Sequence, residues 1–291
     1  MRQTKSLIYM SKKFLRIIFS LFFLCSGAIA APGLLPKPDH IIVVFEENKK
    51  FSQIIGNMAA PYINTLANKG ALFKHSYAIT HPSQPNYLAF FSGSTQGVLD
   101  DNCPYSVQGD NLASQLIRGH YSFGIYSESL PSVGYTGCVY DIYFRKHNPV
   151  VNWQGINLGQ NVNIPFTYFP KDFGSLPTVS IVVPNVLNDM HDGQPLDSIM
   201  KGDTWLKNHI GPYVKWASSH NSLLIVTWDE DDGTGDNHIA TIFIGPMVKK
   251  GVYDNNITHY STLRTIEDIY GLLPIGNSAL SSPITNVWKS K

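Results

Sequence analysis

The chain of 291 residues carries 22 Lys and Arg against 21 Asp and Glu, with 12% aromatic residues scattered along its length. So even a balance supplies no basic stripe with interleaved aromatics, and it excludes nucleic acid as a partner. No internal repeat or low-complexity tract interrupts the sequence.

The first thirty residues read as a leader. Lys12, Lys13 and Arg16 precede the apolar run Ile17 to Leu24, and Ala28-Ile29-Ala30 gives a small-x-small cleavage pattern before Ala31. The expectation is a secretory signal peptide over residues 1–30, with one domain over 31–291 and a secreted or periplasmic destination. The apolar run is too short to span a bilayer, so no stable membrane insertion is expected after cleavage. Cys25 follows Leu24 rather than a small residue, which argues against a lipoprotein-type cysteine. Cys103 and Cys138 then remain. In an oxidising compartment they pair most simply with each other; the alternative is two buried free thiols.

From Pro38 the pattern alternates. Ile41 to Phe45 is a buried strand, and Pro61 to Lys69 is a helix that Gly70 would end as a left-handed cap. An extended segment starts at Ala71, and a turn over Pro82 to Pro85 leads into a helix from Asn86 to Phe91. A further helix near Leu112 to Arg118 precedes a strand over Ser122 to Tyr126. From Ser127 to Pro177 the chain is rich in Tyr, Asn, Pro and Gly without a sustained period, an insertion expected to cover the face of the sheet. Strands return at Thr178 to Pro184, at Leu223 to Trp228 and at Ile239 to Ile244. Helices are expected over Thr204 to Ala217 and Tyr260 to Tyr270. Together these give an α/β fold, a mostly parallel sheet sandwiched between helices.

Two of the strands end abruptly in oxygen-bearing side chains: Glu46-Glu47-Asn48 after the first, Asp229-Glu230 after Trp228. In an open parallel sheet such strand ends meet in one crevice, where they suit a hard cation. Ser83 stands at a turn into a helix. Alone it would be an N-cap, but a helix N-terminus also holds an anion.

Five ordered motifs sharpen this reading. Glu47-Asn48, His81-Pro82-Ser83-x-Pro85-Asn86-Tyr87, Pro184-Asn185-x-x-Asn188-Asp189-Met190-His191-Asp192, Thr227-Trp228-Asp229-Glu230 and His259-Tyr260-Ser261-x-x-Arg264 through Asp268 stand in the order seen in the phosphoesterase family. The chain thus resembles that family of bacterial acid phosphatases and phospholipases C, within the alkaline phosphatase superfamily, from about Asp39 to Leu273. The resemblance implies that Ser83 is the nucleophile, passing through a phosphoserine. It implies that Glu47, Asn48, Ser83, Asp229 and Glu230 hold a divalent metal ion. All-oxygen donors suit calcium, magnesium or manganese, whereas recruitment of His191 or His238 would favour zinc.

His191 and Asp192, with Asp189, are expected on the phosphoryl oxygens, the leaving group or a second metal. His81 and His238 are further candidates, and Asn102 could donate its amide to a phosphoryl oxygen or simply serve a turn. The expected substrate is a small phosphate monoester; phospholipase C activity and a catalytically silent extracellular binding protein are the alternatives. Gly93-x-Thr95-x-Gly97 has the spacing of a nucleophile elbow, but it follows a helix rather than a strand. The acidic run from Asp229 to Asp236 lacks EF-hand spacing, and the arginine of a sulfatase signature is missing after Cys103-Pro104.

Overall fold

The computed structural model describes residues 35–153, 158 and 162–290, so the expected leader lies outside the described residues. In chain order the elements are β1 (His40–Glu46), α1 (Phe51–Ile54), α2 (Pro61–Lys69), β2 (Ala71–Tyr77), α3 (Ser83–Ser92), α4 (Leu112–Arg118) and β3 (Phe123–Ser127). A short hairpin, β4 (Val139–Tyr140) and β5 (Tyr143–Phe144), precedes β6 (Asn163–Pro165) and β7 (Val179–Val183). Then come α5 (Pro195–His209), α6 (Gly211–Ala217), β8 (Ser222–Trp228), β9 (His238–Ile244), β10 (Gly251–Thr258) and α7 (His259–Tyr270).

Eight strands make one sheet in the order β10-β2-β9-β8-β1-β7-β3-β6. All neighbours are parallel except those of β9, which runs against both β8 and β2. The sheet is therefore mostly parallel and α/β, as the strand pattern implied. Its central strand shows why the apolar runs are continuous. Ile41, Val43 and Phe45 pack on one face with Phe90 of α3 and Leu263 and Ile266 of α7. Ile42 and Val44 pack on the other with Ile63 of α2, Leu206 of α5 and Tyr213 of α6. A strand buried on both faces cannot alternate with polar residues.

Several local expectations are corrected. The helix carrying Ser83 begins at Ser83 itself, three residues before the expected start. Pro85 is accommodated because the first helical turn needs no intrahelical N–H donor. Gly70 follows α2 with φ −112°, an extended cap and not a left-handed one. Glycine is required there by space: a Cβ would lie 2.2 Å from the Phe243 carbonyl oxygen. The helix expected over Thr204 to Ala217 is two helices, α5 starting at Pro195 and α6 following a break at Ile210. Pro212 explains the break, since its ring has no N–H and clashes with the preceding turn. The edge strand β10 is missing from the sequence reading, and the insertion contributes the opposite edge, β6. Gly93, with φ 70°, is the left-handed cap of α3, so the Gly93-x-Thr95-x-Gly97 spacing marks a helix end.

Candidate active site

The parallel arrangement brings the carboxyl ends of β1, β7 and β8 to one edge, and an acidic residue lies at or soon after each of them. Glu47 follows β1, Asp229 and Glu230 follow β8, and Asp189 lies in the loop after β7. These segments are tied by backbone bonds. The Glu47 N–H donates to the Asp189 carbonyl at 2.7 Å, and the Asp229 N–H donates to the Glu46 carbonyl at 3.0 Å. Asn48 turns left-handed, with φ 50°, a conformation asparagine tolerates better than most residues. Its N–H donates to Asp229 Oδ1 at 3.2 Å.

Ser83 opens α3 against this edge and is 1% exposed. Its Oγ lies 3.2 Å from Glu47 Oε2 and 3.0 Å from Glu230 Oε1. Glu47 accepts a further hydrogen bond from the Tyr87 hydroxyl, one helical turn along. The structure thus brings together Glu47, Asn48, Ser83, Asp229 and Glu230, the five residues that the resemblance assigned to a divalent metal ion.

Buried carboxylates this close cannot all stay charged without a counter-charge. Burial first, then Asp229, holds the Glu47 carboxyl well above its ordinary range. Asp229 is pushed up to about 7 by burial and then by Glu230, and Glu230 to about 7 by burial and then by Asp101. Asp229 Oδ2 and Asp189 Oδ2 have no hydrogen-bond partner. The Asn48 amide can donate to Glu230 Oε1 at 3.1 Å and Glu47 Oε2 at 3.2 Å only when its nitrogen is turned toward them; with the oxygen there, three acceptors face one another. Orphaned buried oxygens around a repulsive cluster fit a divalent cation.

A second nitrogen-bearing group adjoins Glu47. His147, which the sequence reading missed, is 2% exposed and stacks on Tyr87 with ring centroids 5.4 Å apart. Its Nε2 is 3.2 Å from Glu47 Oε1 and its Nδ1 3.5 Å from Asp189 Oδ2. The Nε2 contact is not aligned as a hydrogen bond, leaving that nitrogen unpartnered. Burial, then the Lys146 charge, holds this imidazole well below its ordinary range, which keeps it neutral and able to bind a metal. One ligand atom each from Glu47, His147 and His191 lie within 4.8 Å of one another. His147 sits in the irregular insertion, where no period marks it. Its signal was the basic cluster Arg145-Lys146-His147 inside a long loop of the kind that usually carries function.

The remaining candidates divide. His191 reaches the site; its Nδ1 lies 2.7 Å from Asp192 Oδ1, and its N–H donates to Asp189 Oδ1 at 2.8 Å. Asp192 therefore pairs with His191 and is itself half exposed. Met190, between Asp189 and His191, has φ 80°, a strained value for a side chain of its kind. His81 packs outside Glu230, with Nδ1 2.6 Å from Glu230 Oε2 and Nε2 3.2 Å from Asp231 Oδ1. Two others are placed elsewhere. His238 contacts the Lys74 carbonyl at 2.6 Å and stacks on Phe51, because it begins the antiparallel strand and its side chain turns to α1. Asn102 gives its amide to Asp100 Oδ2 at 2.6 Å, which is the turn role. His259, whose place the sequence left open, is buried and donates Nε2–H to the Asp229 carbonyl at 2.7 Å, fixing that strand end.

The family model described as the phosphoesterase family matches residues 57–273. The chain belongs to the phosphoesterase family. It is similar to a phosphatidylinositol-3-phosphatase of Mycobacterium tuberculosis, at 46% identity over 271 residues that cover 90% of this chain and 88% of the relative. It is also similar to an acid phosphatase of Aspergillus fumigatus, at 32% identity over 78% of this chain and 54% of that protein, so it spans about half the fungal relative's length. Among solved structures, an alkaline phosphatase superfamily protein from Vibrio parahaemolyticus superposes with a TM-score of 0.60 at 12% identity, covering 89% of this chain and 72% of the other. At that identity the likeness speaks for the fold. As a member of the phosphoesterase family the chain is a hydrolase acting on phosphoric ester bonds.

Proposed function

We propose that this protein is a metal-dependent phosphatase that hydrolyses phosphate monoesters through a phosphoserine formed at Ser83. The observation that carries the reading is the Ser83 hydroxyl at the N-terminus of α3, between Glu47 at 3.2 Å and Glu230 at 3.0 Å. A serine hydroxyl is a weak nucleophile at neutral pH and needs a base or a cation beside it. A divalent ion held by Glu47, Asn48, Asp229 and Glu230, with His147 and His191 adjoining, would supply that activation and offset phosphoryl charge.

The chain's own residues then do the following. Ser83 presents its oxygen to phosphorus, with a flanking carboxylate as the first acceptor for its proton. The first turn of α3 faces incoming negative charge with backbone N–H groups. Tyr87, on whose ring His147 stacks, fixes the orientation of Glu47, and His259 fixes the peptide of Asp229. His191, oriented by Asp192, is the nitrogen group placed to handle the leaving-group proton.

Phosphate monoesters are preferred over the diesters of a phospholipase C. The 46% identical relative is named for removing a phosphate from an inositol lipid, a monoester on a lipid head group, and the fungal relatives are named acid phosphatases. A silent binding protein would have no need to keep the serine and its acidic neighbours together. The disulfide between Cys103 and Cys138 and the sequence of residues 1–30 support export. The test compares p-nitrophenyl phosphate, its phosphorylcholine ester and phosphatidylinositol 3-phosphate in vesicles, with Ser83→Ala beside wild type. Turnover of both monoesters, none of the diester, and loss of both activities in Ser83→Ala is expected. Preferential cleavage of the diester would overturn the monoester reading.

A further inference from the structure

Two lysines reach the site, and they differ. Lys49 is buried, and its Nζ is committed to the Met190 carbonyl at 2.6 Å, so it holds the loop after β7 in place. Lys146 is partly open to solvent, and its Nζ lies 2.9 Å from Asp101 Oδ2 and 3.4 Å from His191 Nε2. The other Asp101 oxygen, Oδ1, accepts the backbone N–H of Gln84 at 2.9 Å. Gln84 directly follows Ser83 in the first turn of α3. A carboxylate therefore already bridges an ammonium and a helix N-terminal N–H, one residue from the Ser83 hydroxyl. Three features converge there, each suited to a tetrahedral oxyanion: the helix end, the ammonium and a histidine nitrogen.

The backbone presenting Lys146 is fixed. Arg145 is buried and donates to the carbonyls of Thr136, Tyr105 and Val151 and to Asn152 Oδ1. Next to it, His147 is wedged on Tyr87. Lys146 is thus the free member of a clamped three-residue turn. Its ammonium has three donors, one of them used by Asp101 and at most one weakly by His191, so donor capacity remains.

We propose that Lys146 is a substrate-binding residue whose ammonium, tethered by Asp101, holds a non-bridging oxygen of the phosphoryl group at Ser83. This rests on the reading of Ser83 given above. The need for it is electrostatic: a monoester dianion approaches an edge lined by Glu47, Asp189, Asp229 and Glu230, and a fixed cation on the open side lowers the repulsion.

The test uses the full-length enzyme with its metal and inorganic phosphate as probe. Lys146→Met and the uncharged donor variant Lys146→Gln should raise both the phosphate inhibition constant and the KM for p-nitrophenyl phosphate by about 10- to 100-fold, with the melting temperature little changed. A purely structural lysine would shift the melting temperature and leave phosphate affinity intact. Inhibition constants and KM within about twofold of wild type overturn the proposal. Should neither variant fold, acetylation of Lys146 in the wild type is followed by mass spectrometry. Phosphate should slow it, and an unchanged rate overturns the proposal equally. Ser83→Ala separates the two readings: it should bind phosphate calorimetrically while turning over nothing. An active Ser83→Ala would defeat the nucleophile assignment and leave the phosphate result on Lys146 standing.

Discussion

His147 is held as a neutral ring. Burial and the adjacent Lys146 charge hold it well below the ordinary imidazole range, so at neutral pH it offers a lone pair to Glu47's neighbourhood rather than a positive charge. His147→Asn is therefore expected to lower kcat for an aryl phosphate by about 100-fold or more while the protein still melts cooperatively; activity within a few-fold of wild type would remove His147 from the site. Glu267 offers a pH test away from the chemistry. Its fully buried carboxyl accepts from the Ile275 N–H at 3.1 Å and the Ser278 hydroxyl at 2.6 Å, yet burial still pushes it from 4.5 up to about 7. The folded state then binds a proton that the unfolded chain gives up, so this group's stabilisation is full below about 4.5 and is lost as pH rises through about 7. The span corresponds to on the order of 3 kcal/mol. Glu267→Gln should flatten the fall in melting temperature across that window, and parallel curves for the two proteins would refute the assignment. At this scale the oxygen donors were legible, because Glu47, Asn48, Asp229 and Glu230 each end an apolar run. His147 was not: a histidine in an aperiodic insertion is brought to Glu47 by tertiary packing alone. His238 misled for the converse reason, since it opens a strand beside an acidic loop but in the antiparallel one.

Elements were legible where burial on both faces wrote a continuous apolar run, as in β1, β7 and β8, and obscure where packing overrode local preference. β10, a half-exposed edge strand rich in polar residues, carries no such run. Gly70 belongs to the same class: its sequence context suggests a helix cap, but the contact with β9 decides its identity. Gly70→Ala would put a methyl group 2.2 Å from the Phe243 carbonyl oxygen and 2.3 Å from the Ile244 side chain. The backbone of β9 cannot yield without disturbing its pairing with β8, so a loss of about 1–3 kcal/mol is expected in denaturant titration. A neutral Gly70→Ala would show that the α2–β2 junction is looser than described. The Cys103–Cys138 disulfide, with 35 residues of separation, works between elements. It joins the loop holding Asp101 to the insertion holding Lys146 and His147. Cys103→Ser with Cys138→Ser should cost about 3–4 kcal/mol on the chain-entropy account. It should also reduce kcat/KM in protein that remains folded, because the tie lies beside the Asp101 to Lys146 contact. Unaltered kcat/KM would restrict the disulfide to stability.

For the whole molecule, the parallel sheet that gathers Glu47, Asp189, Asp229 and Glu230 at one edge also concentrates charge that the rest of the fold must offset. Taking several carboxylates out of water costs several kcal/mol each unless they are paired or neutralised, against a total stability of only about 5–15 kcal/mol for a typical domain. Without a cation, the raised carboxyl groups relieve this by keeping protons. With one, they can ionise, and a ligand that binds only the folded state adds stability by mass action. Because the ion needs deprotonated carboxylates, the stability it adds must grow as pH rises. Chelation followed by calorimetry should therefore lower the melting temperature, and by more at pH 8 than at pH 5. Re-addition of magnesium, calcium, manganese or zinc singly should restore it to different extents, and the ion that restores most at the lowest concentration identifies the preferred one. Asp229→Ala should shrink the chelation effect while leaving the melting of the chelated protein no lower, since the variant has lost a repulsive buried carboxyl along with a ligand. Equal melting temperatures with and without chelator at both pH values would mean that the acidic edge is held by protons alone, and a metal role at Glu47, Asp229 and Glu230 would have to be abandoned.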